Sequence, residues 1–215
     1  MKSLSAFAAI KRDLNAVMLH DPATKSKLEA ALCSSGLHAL VMYRLFHFFH
    51  VHRYFVTARI LSALTRLLTG IEIHPGAVIG SGVFIDHGTG VVIGETAVVG
   101  DNVVIYQGVT LGGTGKDKGK RHPTVQDDVM ISSGAKVLGP FTVGRGAKIG
   151  AGAVVLREVP PNATVVGVPA RIVKVDGKRI DDQADTQTAE LANRINVLEK
   201  KLTEIKAELN RNNGE

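Results

Sequence analysis

Tryptophan is absent from the 215 residues, aromatic side chains make up only 5% of them, and cysteine occurs once, at Cys33. A single thiol excludes an intrachain disulfide and fits a reducing compartment. With 45% apolar residues and 23 glycines, the chain can bury a core, but one made of small and β-branched side chains. Long apolar runs are missing too. The opening MKSLSAFAAIKRDLN holds none of signal-peptide length. Residues 37–69 are rich in Leu, Phe and Val. They are broken by Arg44, His47, His50, His52, Arg53, Arg59 and Arg66, which argues against a membrane span. A cytoplasmic location is therefore expected. Phosphate-loop patterns are lacking as well: GxxxxGK[ST] cannot be aligned on LGGTGKDKGKR, and GxGxxG does not occur.

What is present is a basic body. The net charge of +6 divides into −3 for residues 181–215 and +9 for residues 1–180. That surplus serves solubility equally well as it serves an anionic ligand.

Three regimes follow one another. Residues 3–69 have helical periodicity. Helices are expected at roughly 4–19 and 23–33, broken by Asp21 and Pro22, with SSG at 34–36 stopping the second. One longer apolar helix, or two, should reach Thr69. From Ile71 an aliphatic residue recurs every six positions: Ile73, Ile79 and Ile85; Ile93, Val99, Ile105 and Leu111; then Val125, Ile131, Val137, Val143, Ile149 and Val155. Neither a helix nor an alternating strand has that period. It fits a triangular solenoid in which each short face turns one aliphatic residue inward and stacked turns share a column. The open ends of such a column need caps, and the helices could supply one.

The register breaks twice. The step from Ile85 to Ile93 is eight residues, directly after Asp86-His87; the step from Leu111 to Val125 is fourteen, and that excess holds Arg121-His122. Insertions in a solenoid leave as outward loops, where function concentrates. The third regime runs from Gln187 to Asn210. There Leu191, Ile195, Leu198, Leu202, Ile205 and Leu209 alternate spacings of four and three, an a/d seam. The organisation read from sequence is a helical part at 1–70, a solenoid at 71–175, a linker at 176–187 and a coiled-coil helix at 188–210.

Candidate chemistry centres on His87, whose unperturbed pKa suits a general base. Glu72 lies fifteen residues earlier, close to one solenoid turn, and could orient it. The bland alternative is that Glu72 and Asp86 merely solvate His74 and His87 at an edge. His47 and His50 share a helix face, but no further ligand cluster accompanies them, so no metal site is expected.

The stretch EIHPGAVIGSGVFIDHGTGVVIGETAVVGDNVVIYQGVTLGGTGKDKGKRHPTV resembles the catalytic core of serine O-acetyltransferases of the hexapeptide-repeat superfamily. PPNATVVGVPARIV resembles the closing turn of hexapeptide acyltransferases generally, and HDPA with GLHALVMYRLFHFFH resembles the helical region of the short bacterial form. The likeness covers about residues 18–174. It implies a left-handed parallel β-helix after an N-terminal helical domain, trimeric assembly, and acetyl transfer from acetyl-CoA to L-serine.

Carried over residue by residue, the resemblance makes His87 the base and Glu72 its partner, where many relatives have Asp. Asp21, Asp86, His87, Arg121 and His122 bind the amino-acid substrate. Gly113, Ser133, Gly134, Lys148 and Ala151 contact the acetyl-CoA co-substrate. The site is expected between subunits of a homotrimer, with a dimer of trimers disfavoured by the short helical region. L-cysteine, which shares serine's ammonium and carboxylate, is the expected feedback inhibitor. Many relatives bind cysteine synthase through a C-terminal isoleucine. This sequence ends in RNNGE, and burying the Glu215 charge is costly, so no such complex is expected. No nucleic-acid motif competes. The alternatives are a hexapeptide acetyltransferase acting on a sugar or antibiotic hydroxyl, a non-catalytic scaffold, and a γ-carbonic-anhydrase-like metal enzyme, whose histidine trio the repeats do not supply.

Overall fold

The computed structural model describes residues 5–115, 118–180, 191 and 193–205. The chain divides into two compact units, Met1–Lys178 and Arg179–Glu215.

Four helices open the first unit: α1 (Ala6–His20), α2 (Lys27–Cys33), α3 (Ser35–Val51) and α4 (Phe55–Thr69). Serine hydroxyls cap the first three, Ser5 accepting from the Ala8 amide, Ser26 from Glu29 and Ser34 from Leu37. α2 starts four residues later than the sequence suggests. The Asp21 carboxylate accepts from the Ala23 amide at 2.8 Å and the Thr24 hydroxyl at 2.6 Å, holding that stretch as a turn. SSG does more than stop α2. Ser34 also caps α3, and Gly36 lies buried inside it. α4 ends at Gly70, which adopts φ 72°.

Short strands then wind round three faces. The first face carries β1 (Glu72–Ile73), β4 (Val92–Ile93), β7 (Thr110–Gly112), β10 (Lys136–Leu138) and β13 (Val154–Val155). The second carries β2 (Val78–Ile79), β5 (Val98–Val99), β8 (Thr124–Val125) and β11 (Thr142–Val143). The third carries β3 (Phe84–Asp86), β6 (Val104–Tyr106), β9 (Met130–Ile131), β12 (Lys148–Ile149) and β14 (Ala163–Val166), which β15 (Arg171–Val175) joins antiparallel. All thirteen aliphatic residues of the repeat are buried, none above 6% exposed. They stack in register: Ile73 on Ile93, Leu111, Val137 and Val155; Ile79 on Val99, Val125 and Val143; Ile85 on Ile105, Ile131 and Ile149. Each contributes roughly 1.5–3 kcal/mol by burial. The partner of Ile73 is twenty residues on, not eighteen, and that of Leu111 is twenty-six on, so both register breaks leave the stack intact.

A second inward row appears two residues before the first. Ala77, Val83, Val91, Ala97, Val103, Val109, Val129, Ala135, Ala147 and Ala153 are buried at the corners. Each face therefore turns two side chains inward rather than one. Both ends are closed. β15 folds back over the last turn, and the helices cover the first. There the Tyr43 hydroxyl donates to Ala77 O at 2.7 Å and Ser62 Oγ to Ile73 O at 2.7 Å. The helices also grip the outer side of the third face. Ala16, Val17, Ala30 and Leu37 bury Phe84 and Val104. Beside them the fully buried Asp13 pairs with Arg44 Nη2 at 2.7 Å and accepts from the Gly82 amide at 2.8 Å.

In the second unit, residues 191 and 193–205 are helical, with Leu191, Ile195, Leu198, Leu202 and Ile205 all more than half exposed. Residues 181–187 of the expected linker, Leu209 and the C-terminal Glu215 lie outside the described residues.

Candidate active site

Two polar clusters form, each at a register break. The first sits at the corner between β3 and β4. β3 delivers Asp86 half-buried, and His87 follows in the left-handed region at φ 53°, an uncommon conformation for a non-glycine residue. That turn throws the imidazole outward; its Nε2 stands 3.9 Å from Asp86 Oδ1, and the side chain is 77% exposed. The two extra residues make the corner tight. A Cβ on Gly88 would lie 2.3 Å from Ile71 Cδ1.

Opposite the corner is the helical wall. α3 can approach β3 because Gly36 has no side chain: a Cβ there would lie 2.0 Å from Ile85 O. This docking shapes an open cavity of about 270 Å³ lined by Asp21, Thr24, Glu29, Cys33, Asp86 and His87. Thus Asp21, Asp86 and His87, three of the expected substrate residues, share one cavity. The Thr24 hydroxyl and the Ala23 amide hold Asp21 below the usual carboxylate range, and His87 adds to the effect.

The second cluster sits at the next corner, between β4 and β5. The fourteen-residue step brings Arg121 and His122 back over Glu95 and Thr96, one turn below. Arg121 Nη2 pairs with Glu95 Oε2 and pulls the Glu95 carboxyl down. The ring of His122 fills space that Gly94 leaves open, where a Cβ would come within 2.1 Å of it. Burial is the main cause holding His122 below the ordinary histidine value, with the Arg121 charge acting in the same direction. His74, also at this corner, falls to about 4, chiefly through burial and then through Arg59. Glu95 and Thr96 were not singled out from sequence. The repeat offers no clear signal for them, since the equivalent positions of other turns carry the equally polar pairs Asp101-Asn102 and Asp127-Asp128.

Along one chain the two clusters stay apart. Among the described residues, no ion pair, hydrogen bond or shared cavity joins His87 to Arg121 or His122. Glu72 is not bonded to His87. Its Oε2 lies 3.0 Å from Arg66 Nη1, at a cavity of about 460 Å³ under α4 lined also by Arg59 and Ser62.

The expected co-substrate residues divide similarly. The amides of Gly108, Gly134 and Gly152 donate to the carbonyls of Thr89, Gln107 and Ser133, so Ser133, Gly134 and Ala151 climb the edge that starts at His87. Lys148 stands exposed on β12 of the adjoining face. Gly113 instead lies by Arg121, whose carbonyl oxygen a Cβ on Gly113 would approach to 3.1 Å. Among the described residues, no group of three or more His, Cys, Asp or Glu is placed to hold a metal ion. No helix among them is long and apolar enough to cross a membrane.

Residues 122–157 match the family described as bacterial transferase hexapeptide (six repeats). A serine acetyltransferase of Bacillus licheniformis is 53% identical over 211 residues, covering 97% of this chain and 98% of the relative. That of Bacillus subtilis is 52% identical over 205 residues, 94% of each. The chain belongs to the serine acetyltransferase family. It is an acyltransferase with that family's left-handed parallel β-helix. Solved structures agree. A serine acetyltransferase in complex with cysteine is 46% identical, with a TM-score of 0.78 over 79% of this chain and 70% of that one. One from Brucella abortus in complex with coenzyme A is also 46% identical, with a TM-score of 0.77 over 79% of this chain and 68% of that one.

Proposed function

We propose that the two corner clusters form one active site when copies of the chain assemble as a trimer, the Asp21–Asp86–His87 cavity of one facing the Arg121–His122 cluster of its neighbour. The observation that carries this reading is the complementarity of the half-sites. L-serine is a zwitterion. Asp21 and Asp86 suit its ammonium, while Arg121 suits its carboxylate through two parallel hydrogen bonds. Among the described residues, the first cluster has no fixed cation for the carboxylate, and Glu95, the carboxylate of the second, is already paired with Arg121 and so leaves the ammonium unanswered.

An imidazole nitrogen of His87 takes the proton of the serine hydroxyl as that oxygen attacks the thioester carbonyl of acetyl-CoA. The C–S bond then breaks, the proton passes to the departing sulfur, and O-acetyl-L-serine and CoA leave. A positioned base of this kind contributes about 10²–10⁴-fold in rate. Glu72 orients the imidazole once it releases Arg66. Arg66 is 66% exposed, and so open a pair is worth less than about 1 kcal/mol, so the exchange is cheap. Acetyl-CoA lies along the edge of Ser133, Gly134 and Ala151, with Lys148 near its phosphates and Gly113 contributed from the Arg121 side.

L-cysteine competes in the same pocket, since it carries the same ammonium and carboxylate. The reaction belongs in the cytoplasm, where acetyl-CoA is supplied. The test is release of CoA thiol from acetyl-CoA with L-serine and with a panel of sugars as acceptors. Release only with L-serine supports the reading; faster release with a sugar overturns it.

A further inference from the structure

We propose that Thr96 is a positioning residue of the substrate site, whose hydroxyl locks the His122 imidazole into the tautomer with its proton on Nε2. The inference rests on the reading of His122 as a substrate-binding side chain and adds the device that sets what this side chain can do.

The argument is a count of donors and acceptors. Thr96 Oγ1 accepts from two backbone amides, Arg121 N at 3.0 Å and His122 N at 3.1 Å. Both lone pairs of the hydroxyl are then used, and only its proton remains to be placed. The acceptor within reach is His122 Nδ1, 2.8 Å from Oγ1. The Thr96 amide also points at that nitrogen, 3.2 Å away. Two donors therefore converge on Nδ1, and a proton on Nδ1 would face both. The neutral ring must carry its hydrogen on Nε2, which has no hydrogen-bond partner among the described residues. Charging the ring would break both contacts at Nδ1, and burial separately opposes a second proton on His122. The charged groups acting on the ring are Arg121 and Lys120, which oppose its protonation, and Glu95, which favours it.

The consequence separates the two histidines. His122 offers an N–H and no basic nitrogen, so it donates to a substrate oxygen and cannot take the serine proton. His87, with no such clamp, is left as the base. Thr96 acts twice in this arrangement: it fixes the ring's tautomer, and it ties down the backbone from which both Arg121 and His122 project.

The test compares Thr96→Val, which keeps the shape and loses the hydroxyl, with Thr96→Ser, which keeps the hydroxyl. The first readout is ¹⁵N-resolved NMR of the His122 ring in the substrate-free full-length protein, assigned with His122→Asn. The wild type and Thr96→Ser should show a hydrogen on Nε2 and an unprotonated Nδ1. Thr96→Val should show a mixture of tautomers and a higher pKa for this ring. The second readout is kinetic. Thr96→Val, which removes all three hydrogen bonds of the hydroxyl, should raise KM for L-serine at least about ten-fold, with a smaller change in kcat, and Thr96→Ser should restore it. A wild-type ring protonated on Nδ1, or a Thr96→Val ring indistinguishable from wild type, would overturn the proposal. Because the NMR readout needs no turnover, it stands even if L-serine proves to be the wrong acceptor.

Discussion

Replacing Gly36 by alanine tests how the helices govern the site. Alanine is the better helix former by about 1 kcal/mol, so on propensity alone the variant should gain stability. Packing opposes this. The added Cβ would lie 2.0 Å from the backbone oxygen of Ile85, whereas ordinary contact begins near 3.4 Å, so α3 must retreat from β3 by about 1.4 Å. The obstacle is backbone, with no side chain to swing aside. Overpacking of this kind costs about 1–3 kcal/mol, leaving a net loss of up to about 2 kcal/mol. For a chain of this size that lowers Tm by up to about 8 °C. The effect on turnover should be larger. The helical wall holds Asp21 across the cavity from Asp86 and His87, and a displacement near 1 Å in a reacting geometry costs on the order of 10²-fold. Calorimetry and CoA-release kinetics on the same preparation measure both. A Gly36→Ala protein that melts lower but turns over like wild type would separate the helical wall from catalysis. One unchanged in both would refute the contact itself.

His87→Ala should cut turnover by roughly 10²-fold or more with circular dichroism unchanged, and Glu72→Gln should cost less, with Glu72→Asp retaining substantial activity. A Glu72→Gln enzyme matching wild type from pH 6 to 9 would remove Glu72 from the mechanism. Asp13→Ala leaves Arg44 unpaired beneath α1 and should cost about 3–5 kcal/mol in urea denaturation; a loss under about 1 kcal/mol would show that the pair does not clamp helices to solenoid. His74 binds its proton more weakly folded, at about 4, than unfolded, so its contribution is present above pH 6.5 and lost as pH falls toward 4. Half-exposure reduces that contribution to about 1–2 kcal/mol, and His74→Asn should flatten the fall in Tm between pH 6.5 and 4.5. Light scattering of the full chain and of a version ending near Lys178 should both give trimers, with the heptad helix adding stability to the longer one; a monomeric full chain would defeat a site shared between copies.

The solenoid was legible because its physics is one-dimensional. A stack of identical rungs imposes one spacing on the sequence, and the inward aliphatics from Ile73 to Val155 obey it except across the two insertions. The second inward row was hidden because Ala and Val at a corner look like the small residues any tight turn prefers. Helix boundaries depended on side-chain chemistry that periodicity does not register: Asp21 holding a turn, Ser34 serving two helices. The register breaks correctly marked where chemistry would collect. They exposed only half of each cluster, since a break names the inserted residues and not what they land on. Arg121 and His122 were therefore visible, whereas Glu95 and Thr96 sit in an unbroken turn, and their role arises only when the next turn stacks above them. Glu72 is the reverse case. Its spacing from His87 is right for one turn, yet the nearby Arg66 guanidinium captures it, an interaction that crosses from helix to strand and has no signature in the repeat.

The placement of the clusters also gives a physical reason for the proposal that the site is shared between copies. A triangular solenoid has convex corners, and a lone convex corner cannot enclose a substrate. His87 is accordingly 77% exposed in the single chain despite the helical wall beside it. Among the described residues, Arg121, at the neighbouring corner, pairs with the Glu95 carboxylate alone. Parallel packing of copies around a three-fold axis would turn two unlike convex corners into one concave groove running along the solenoid, long enough for an extended cofactor. It would do so without any residue leaving its rung. The repeat that builds the core would thereby fix the height at which acid, base and cation meet, because each corner's position along the axis is set by the turn that carries it. The Asp86–His87 corner and the Glu95–Thr96 corner follow one another round the solenoid. Parallel copies at equal height would bring them level, with Arg121 and His122 folded down upon the lower turn by the long loop. In the proposed trimer the eight-residue insertion would then be the part of the sequence that makes the two half-sites meet.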